Sequence, residues 1–180
     1  ASFETACSAS LVGCHSAMRT LQSGECEMHL ALGANLMLSR ASSISMAIAG
    51  MTSPVGRSHT WDSRADGFAR GEGACSVVLK PGEAAITQVC GSAVRQDGRS
   101  ASLTAPNGVA QQKLLRGALA EAGVAAVALA LNEPHGTGTP LGDPVEMGSL
   151  AAGVLSRECR LALSGVKGNS AHGESTAGTI

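Results

Sequence analysis

Val127-Ala128-Leu129-Ala130-Leu131 runs into Asn132-Glu133-Pro134-His135-Gly136-Thr137-Gly138-Thr139-Pro140-Leu141-Gly142, and then into Asp143-Pro144-Val145-Glu146-Met147. The first five residues are apolar and strand-like. The glycine-rich middle reads as a loop. The third part reads as a helix start, with Asp143 at the N-cap, Pro144 at the first helical position and Glu146 placed for a capping box. Met147, Leu150, Ala151 and Val154 then fall on one apolar face. Residues 161–166 form a further apolar run that reads as a strand. Strand, helix, strand is the signature of an α/β fold, in which sites lie beyond the carboxyl ends of strands. His135 stands at such a place, and so does His172, within Lys167-Gly168-Asn169-Ser170-Ala171-His172-Gly173-Glu174 after the last strand.

Far upstream, Glu4-Thr5-Ala6-Cys7-Ser8-Ala9-Ser10 offers a partner for these histidines. Leu11, Cys14, Met18 and Leu21 follow at helical spacing, and Gly24 stands where that helix stops. Cys7 therefore falls at a helix start, where backbone N–H groups and the positive end of the dipole favour a thiolate. Its small neighbours leave the sulfur reachable. We read Cys7 as a nucleophile.

Between these segments the chain alternates further. Residues 28–34 read as a short buried strand, and residues 35–60 as a mixed, serine-rich stretch with a turn at Pro54 and Gly56. Residues 61–73, dense in charge and glycine, read as a loop crossed by salt bridges. Residues 74–79 and 86–94 read as two strands of a hairpin or meander, and residues 103–108 as loop. Residues 111–122 read as a helix with Leu114, Leu115, Ala118, Leu119 and Ala122 on one face, ended by Gly123.

Composition narrows the possibilities. The 180 residues fit one domain, and 13 basic against 14 acidic residues leave a net charge of −1, with no basic stripe to bind nucleic acid. No apolar run approaches the roughly 18 residues of a membrane span. Two Phe, one Trp and no Tyr leave the core to aliphatic side chains, and 23 Gly point to tight loops. The six cysteines have no zinc-ribbon spacing, so five of them, Cys14, Cys26, Cys75, Cys90 and Cys159, read as reduced, buried packing residues of an intracellular protein.

Cys7, His135 and His172 together suit nucleophilic chemistry. Lys167, five positions before His172, is either a solvated loop lysine or a fixed positive charge beside the site. Asp143 and Glu146 are accounted for first as helix caps. Zinc is the rival occupant of a Cys/His/His set, making the chain a metal-binding structural protein. Against it, no H-E-x-x-H and no short ligand spacing occur, and neither a P-loop, a G-x-S-x-G nor a G-x-G-x-x-G is present.

Thr5-Ala6-Cys7-Ser8-Ala9-Ser10 resembles the active-site segment of β-ketoacyl synthases. Residues 135–146 resemble that family's first histidine motif, and residues 166–174 its lysine and second-histidine motif. Asp66-Gly67-Phe68-Ala69-Arg70-Gly71-Glu72-Gly73, residues 91–98 and Leu103-Thr104-Ala105-Pro106-Asn107-Gly108 are similar to the modular polyketide synthase branch. The match runs nearly end to end, in family order.

The resemblance implies a thiolase-like layered α/β/α/β/α sandwich. Residues 1–180 would be a partial ketosynthase domain, with the end of the first half at roughly 1–80 and much of the second at roughly 81–180. It implies decarboxylative Claisen condensation in polyketide or related fatty-acid biosynthesis, with Cys7 as nucleophile, His135 and His172 at the decarboxylation step and Lys167 as electrostatic support. No cofactor is bound in that family; substrates arrive on the phosphopantetheine arm of acyl carrier protein. The partners implied are acyl carrier protein, neighbouring synthase domains and a second copy in a homodimer, in the cytoplasm. A non-elongating, acyl-transferring relative is the alternative. The expected upstream strands and the downstream oxyanion-hole loop are absent, so we expect the 180-residue piece alone to be inactive and poorly soluble. Ala171 stands where the family usually has glycine, Ser170 where it has an apolar residue, Arg95 where it has Asn, Trp61 where it has Phe and Glu4 where it has Asp. If that glycine's backbone is left-handed, the Ala171 methyl bears on the placement of His172.

Overall fold

A computed structural model of the chain describes residues 1–82, 85–102, 104–155 and 161–180. Leu103 and Cys159 lie outside the described residues. The chain divides into two compact units. One comprises residues 1–45, 70–88 and 172–180, the other residues 46–69 and 89–171.

In the first unit, a 3-10 turn, Ala6–Ser8, feeds directly into helix α1, Ala9–Gln22. Gly24, at φ 74°, follows its end as the spacing predicts. The buried face of α1 carries Ser10, Ala17 and Met18; Met18 lies on the expected stripe, whereas Leu11 is 56% exposed. Strand β1, His29–Asn35, pairs antiparallel with β2, Gly73–Leu79, in the register His29 to Leu79 and Asn35 to Gly73. The strand at residues 28–34 was expected to be buried on both sides. Only Ala31 and Gly33 are buried, while Leu30 and Leu32 project into solvent, so this is a one-face strand. Gly33 has a specific task. A Cβ there would come within 3.1 Å of Ser10 Cβ and 3.2 Å of the Ser175 carbonyl oxygen and Thr176 Cα. Its bare backbone lets the start of α1 and the 3-10 turn Glu174–Thr176 close on the strand.

Helix α2, Arg40–Ile48, was not expected from the sequence. Three serines interrupt its apolar residues and none of its residues is buried, so no apolar stripe marks it.

The second unit contains α3, Gly108–Ala122, and α4, Gly142–Gly153, with Leu150 and Val154 among its buried residues. Helix α3 starts three residues earlier than the periodicity indicates. The Asn107 side chain caps it, accepting from the N–H groups of Val109 and Ala110 at 3.0 and 3.2 Å. Gly123, at φ 64°, ends it in the left-handed conformation. Strands β3, Leu131–Asn132, and β4, Ala162–Leu163, pair in parallel across α4, as α/β logic requires. Both are far shorter than read: residues 126–128 form a 3-10 turn, and two residues of each strand meet.

The expected hairpin of residues 74–79 with 86–94 does not form. β2 takes β1 as its partner, and residues 86–94 have no strand partner among the described residues. They hold no ladder, and from Gly91 to Ala93 the chain instead lies along α3. A Cβ on Gly91 would meet the Ala122 nitrogen at 2.6 Å, and a Cβ on Gly117 would meet Ala93 Cβ at 3.7 Å. Within the charged loop at 61–73, Asp62 pairs with Arg64 at 2.6 Å. Arg70 leaves it to pair with Glu174. Cys7, Cys14, Cys26, Cys75 and Cys90 carry no disulfide; Cys90 is exposed and the others are half-buried, so the expectation of fully buried thiols is corrected. Burial, and then the neighbouring Cys75, push the Cys14 thiol pKa up. Among the described residues no helix is long and apolar enough to cross a membrane.

Candidate active site

Cys7 sits in the 3-10 turn ahead of α1, half-buried, as its position before the apolar periodicity predicts. The residue before it, Ala6, has φ 52°, a left-handed conformation that non-glycine residues rarely adopt. The turn is tied by Ser8, whose N–H and hydroxyl both donate to the Thr5 carbonyl oxygen, at 3.3 and 2.9 Å.

His172 lies in the same unit and is fully buried. One of its ring nitrogens is within 4.8 Å of Cys7 Sγ. The Glu174 N–H donates to His172 Nδ1 at 3.1 Å, so Nδ1 presents a lone pair and the proton of the neutral ring resides on Nε2. The His172 carbonyl accepts from the Gly71 N–H at 2.9 Å, and a parallel bridge aligns His172 with Arg70. Ala171, before it, has φ 63° and ψ −179°, a region that is essentially glycine's. The condition attached to this residue in the sequence is therefore met.

His135 and Lys167 belong to the second unit. The loop that carries His135 is held by two carboxylates on α4. Glu146 accepts from the His135 N–H at 2.5 Å and the Gly136 N–H at 2.8 Å. Asp143, 4% exposed, accepts from the N–H groups of Gly138, at 3.0 Å, and Trp61, at 3.0 Å. The reading of Asp143 and Glu146 as caps is thus corrected. Leu141 occupies the N-cap, and Asp143 lies inside the first turn. The carboxylates face back to satisfy the loop's N–H groups rather than the helix's. The Thr139 hydroxyl takes one helix donor instead, the Gly142 N–H at 3.2 Å. On the other side, the Thr60 hydroxyl donates to the Gly136 carbonyl at 2.5 Å.

Lys167 opens the one-turn helix α5, Lys167–Ser170, and is 5% exposed, which removes the solvated-lysine reading. Protein packed round the His135 ring, and then the Lys167 charge, lower the His135 pKa from 6.5 to about 4, against an opposing pull from Asp143. His135 keeps part of its surface in solvent and is neutral at neutral pH. Burial raises the Glu146 pKa, partly offset by the two N–H groups it accepts.

Arg70 and Glu174, paired beside His172, are residues that motif reading did not single out. Arg70 and Glu174 stand 104 positions apart, beyond the reach of any spacing rule. Glu146 carried a signal, but the capping pattern absorbed it.

The family model for the β-ketoacyl synthase N-terminal domain matches residues 1–85, and that for its C-terminal domain matches residues 86–180. The chain is 46% identical over 184 residues to a phenolphthiocerol/phthiocerol polyketide synthase of Mycobacterium tuberculosis, covering 97% of this chain and 8% of that protein. It is 42% identical over 183 residues to an erythronolide synthase of Saccharopolyspora erythraea, covering 97% and 5%. An oxazolomycin ketosynthase domain from Streptomyces albus superposes with a TM-score of 0.92 at 34% identity, covering 98% of this chain and 33% of that one. A ketosynthase from module 6 of the bacillaene synthase of Bacillus subtilis does so at 0.87 and 34%, with the same coverage. The fold is therefore the thiolase-like α/β fold of ketosynthases, and the chain belongs to the β-ketoacyl synthase family.

Proposed function

We propose that this chain carries the reacting groups of a polyketide ketosynthase that performs decarboxylative Claisen condensation. The observation that carries the proposal is the Cys7–His172 pair: a sulfur within 4.8 Å of an imidazole whose Nδ1 is already occupied. Such a ring keeps Nε2–H as a fixed hydrogen-bond donor.

The Cys7 thiolate attacks the thioester carbonyl of an acyl chain on the phosphopantetheine arm of an acyl carrier protein. The arm's thiolate leaves and takes up a proton, and the acyl group stays on Cys7. A malonyl-type extender on a second carrier then loses carbon dioxide. Its C–C bond electrons form an enolate, whose oxygen receives hydrogen bonds from His135 and His172. The enolate carbon attacks the Cys7 thioester, a new C–C bond forms, and Cys7 leaves as thiolate. Neutral histidines suit this step, since charge develops in the transition state and is absent from the substrate. The lowered His135 pKa keeps that ring neutral at working pH. Lys167 supplies the charge that helps to lower it. The partners in this reading are acyl carrier protein and neighbouring synthase domains, which the polyketide synthase relatives support, together with a second copy in a homodimer, in the cytoplasm.

The test uses the intact synthase that carries this chain. Incubation with an acyl carrier thioester should add the acyl mass to the peptide containing Cys7, and a malonyl carrier should then discharge it as a β-ketoacyl product. Unacylated Cys7 together with stoichiometric zinc would favour the metal-binding reading instead. A second reading, transfer without condensation, is favoured by the backbone of Ala171. Acylation of Cys7 without a β-ketoacyl product, restored by Ala171→Gly, would establish it.

A further inference from the structure

We infer that the Arg70–Glu174 ion pair is a positioning device that fixes the ring orientation and tautomer of His172. The inference rests on the condensing role proposed for that histidine. Arg70 Nε meets Glu174 Oε1 at 2.6 Å, with the two side chains 10% and 16% exposed. Arg70 Nη1 also donates to the Ser43 hydroxyl at 2.7 Å. A charge-assisted pair so shielded is held in one geometry rather than fluctuating in water.

Both partners are coupled to His172 through the backbone. Arg70 lies opposite His172 in a parallel bridge, and the next residue, Gly71, donates its N–H to the His172 carbonyl at 2.9 Å. Glu174 donates its own N–H to His172 Nδ1 at 3.1 Å. The ion pair therefore closes a ring of contacts: Arg70 backbone, His172 backbone, His172 Nδ1, Glu174 backbone, Glu174 carboxylate, Arg70 guanidinium. Glu174 has φ 47°, a conformation an L-residue holds only when its surroundings insist. The carboxylate's grip on Arg70 supplies that insistence. With Glu174 N–H held on Nδ1, the proton must sit on Nε2, and the ring cannot flip without breaking the bond. Neither Arg70 nor Glu174 is assigned a bond to be made or broken; each acts through His172.

Single truncations leave one buried charge without its partner and lower stability for that reason alone. The decisive variant is the double exchange Arg70→Met with Glu174→Gln, which removes both charges while keeping the bulk and the Glu174 N–H. It is made in the intact synthase and compared with each single exchange. The expected result is a double variant that melts closer to the parent than either single variant does. It should acylate Cys7 within about twofold of the parent and condense roughly tenfold to a hundredfold more slowly, the loss typical of a misplaced reacting group. A double variant that regains condensation along with its melting temperature would overturn the inference, leaving the pair a purely structural one. Equal loss of acylation and condensation would overturn it too.

A second readout separates this inference from the condensing reading. Long-range 1H–15N NMR of histidine-labelled protein reports which His172 nitrogen carries the proton. We expect Nε2–H alone in the parent and a mixture of tautomers in the double variant, whether or not the parent condenses. An unchanged tautomer would sink the inference even in an active enzyme. A parent that holds the tautomer yet makes no β-ketoacyl product would sink the condensing reading instead.

Discussion

The Glu146 carboxylate accepts the backbone N–H of His135 at 2.5 Å, eleven residues upstream of it. The same carboxylate takes the Gly136 N–H, so one side chain of α4 holds two consecutive peptide units of the loop. His135 is thereby positioned through its backbone, and its ring makes no part of that anchor.

Glu146→Ala should leave both N–H groups without their acceptor. The expected cost is about 1–3 kcal/mol of stability, read from denaturant unfolding. Condensation should fall by roughly tenfold or more, because the His135 loop loses its register. Glu146→Gln keeps one acceptor oxygen and should fall between Glu146→Ala and the parent on both measures. Glu146→Ala with unchanged stability would show that the loop holds itself.

Acidification should destabilise the fold through His135. Its pKa is about 4 in the folded chain against 6.5 ordinarily. Above pH 6.5 the ring is neutral in both states and contributes no pH dependence. As pH falls from 6.5 towards 4, the unfolded chain takes up the proton first, so stability drops; below about 4 both states are protonated and the drop ends. Glu146, with its raised pKa, works in the opposite direction. Comparing the parent with His135→Gln isolates the histidine: the variant should lose less stability between about pH 7 and about pH 4.5. Parallel curves for the two proteins would rule out the shift.

Ala171→Gly should raise stability by about 1 kcal/mol, measured as a shift in the denaturation midpoint. A glycine meets no Cβ penalty at φ 63° and ψ −179°, where alanine does. A melting temperature that falls would mean that the alanine methyl makes contacts worth more than its strain.

Gly33→Ala should cost about 1–3 kcal/mol, the usual range for overpacking. The added methyl would press on Ser10, Ser175 and Thr176, so β1 or the Glu174–Thr176 turn must move. Acylation of Cys7 and condensation should both fall, since the strand backs the start of α1 and the residues that follow His172. Unchanged kinetics in a folded variant would show that the turn adapts freely.

These cases also show where the sequence was legible. Cys7 at a helix start and Gly24 and Gly123 beyond helix ends were all readable, because each rests on local spacing or turn chemistry. Asp143 and Glu146 were misread because a capping box and a loop anchor share one pattern, acidic residues near a helix start; only the direction in which the carboxylates face separates them. Helix α2 was hidden by its serines and its exposure. Residues 86–94 look like a strand because Val and Ile favour one, but a ladder needs a partner, and that is a property of the whole sheet. Arg70 and Glu174 lay in two quoted motifs whose contact no spacing announces.

That last difference governs how the two histidines can be exchanged among relatives. His135 and Glu146 lie within a dozen residues, so a segment swapped between two synthases carries the histidine together with its anchor. His172 depends on a guanidinium 102 positions away in the chain. A chimera joined anywhere between residues 71 and 173 takes Arg70 from one parent and Glu174 from the other. Such hybrids should keep their function only when both parents bring this pair, or when the junction leaves both residues on the same side.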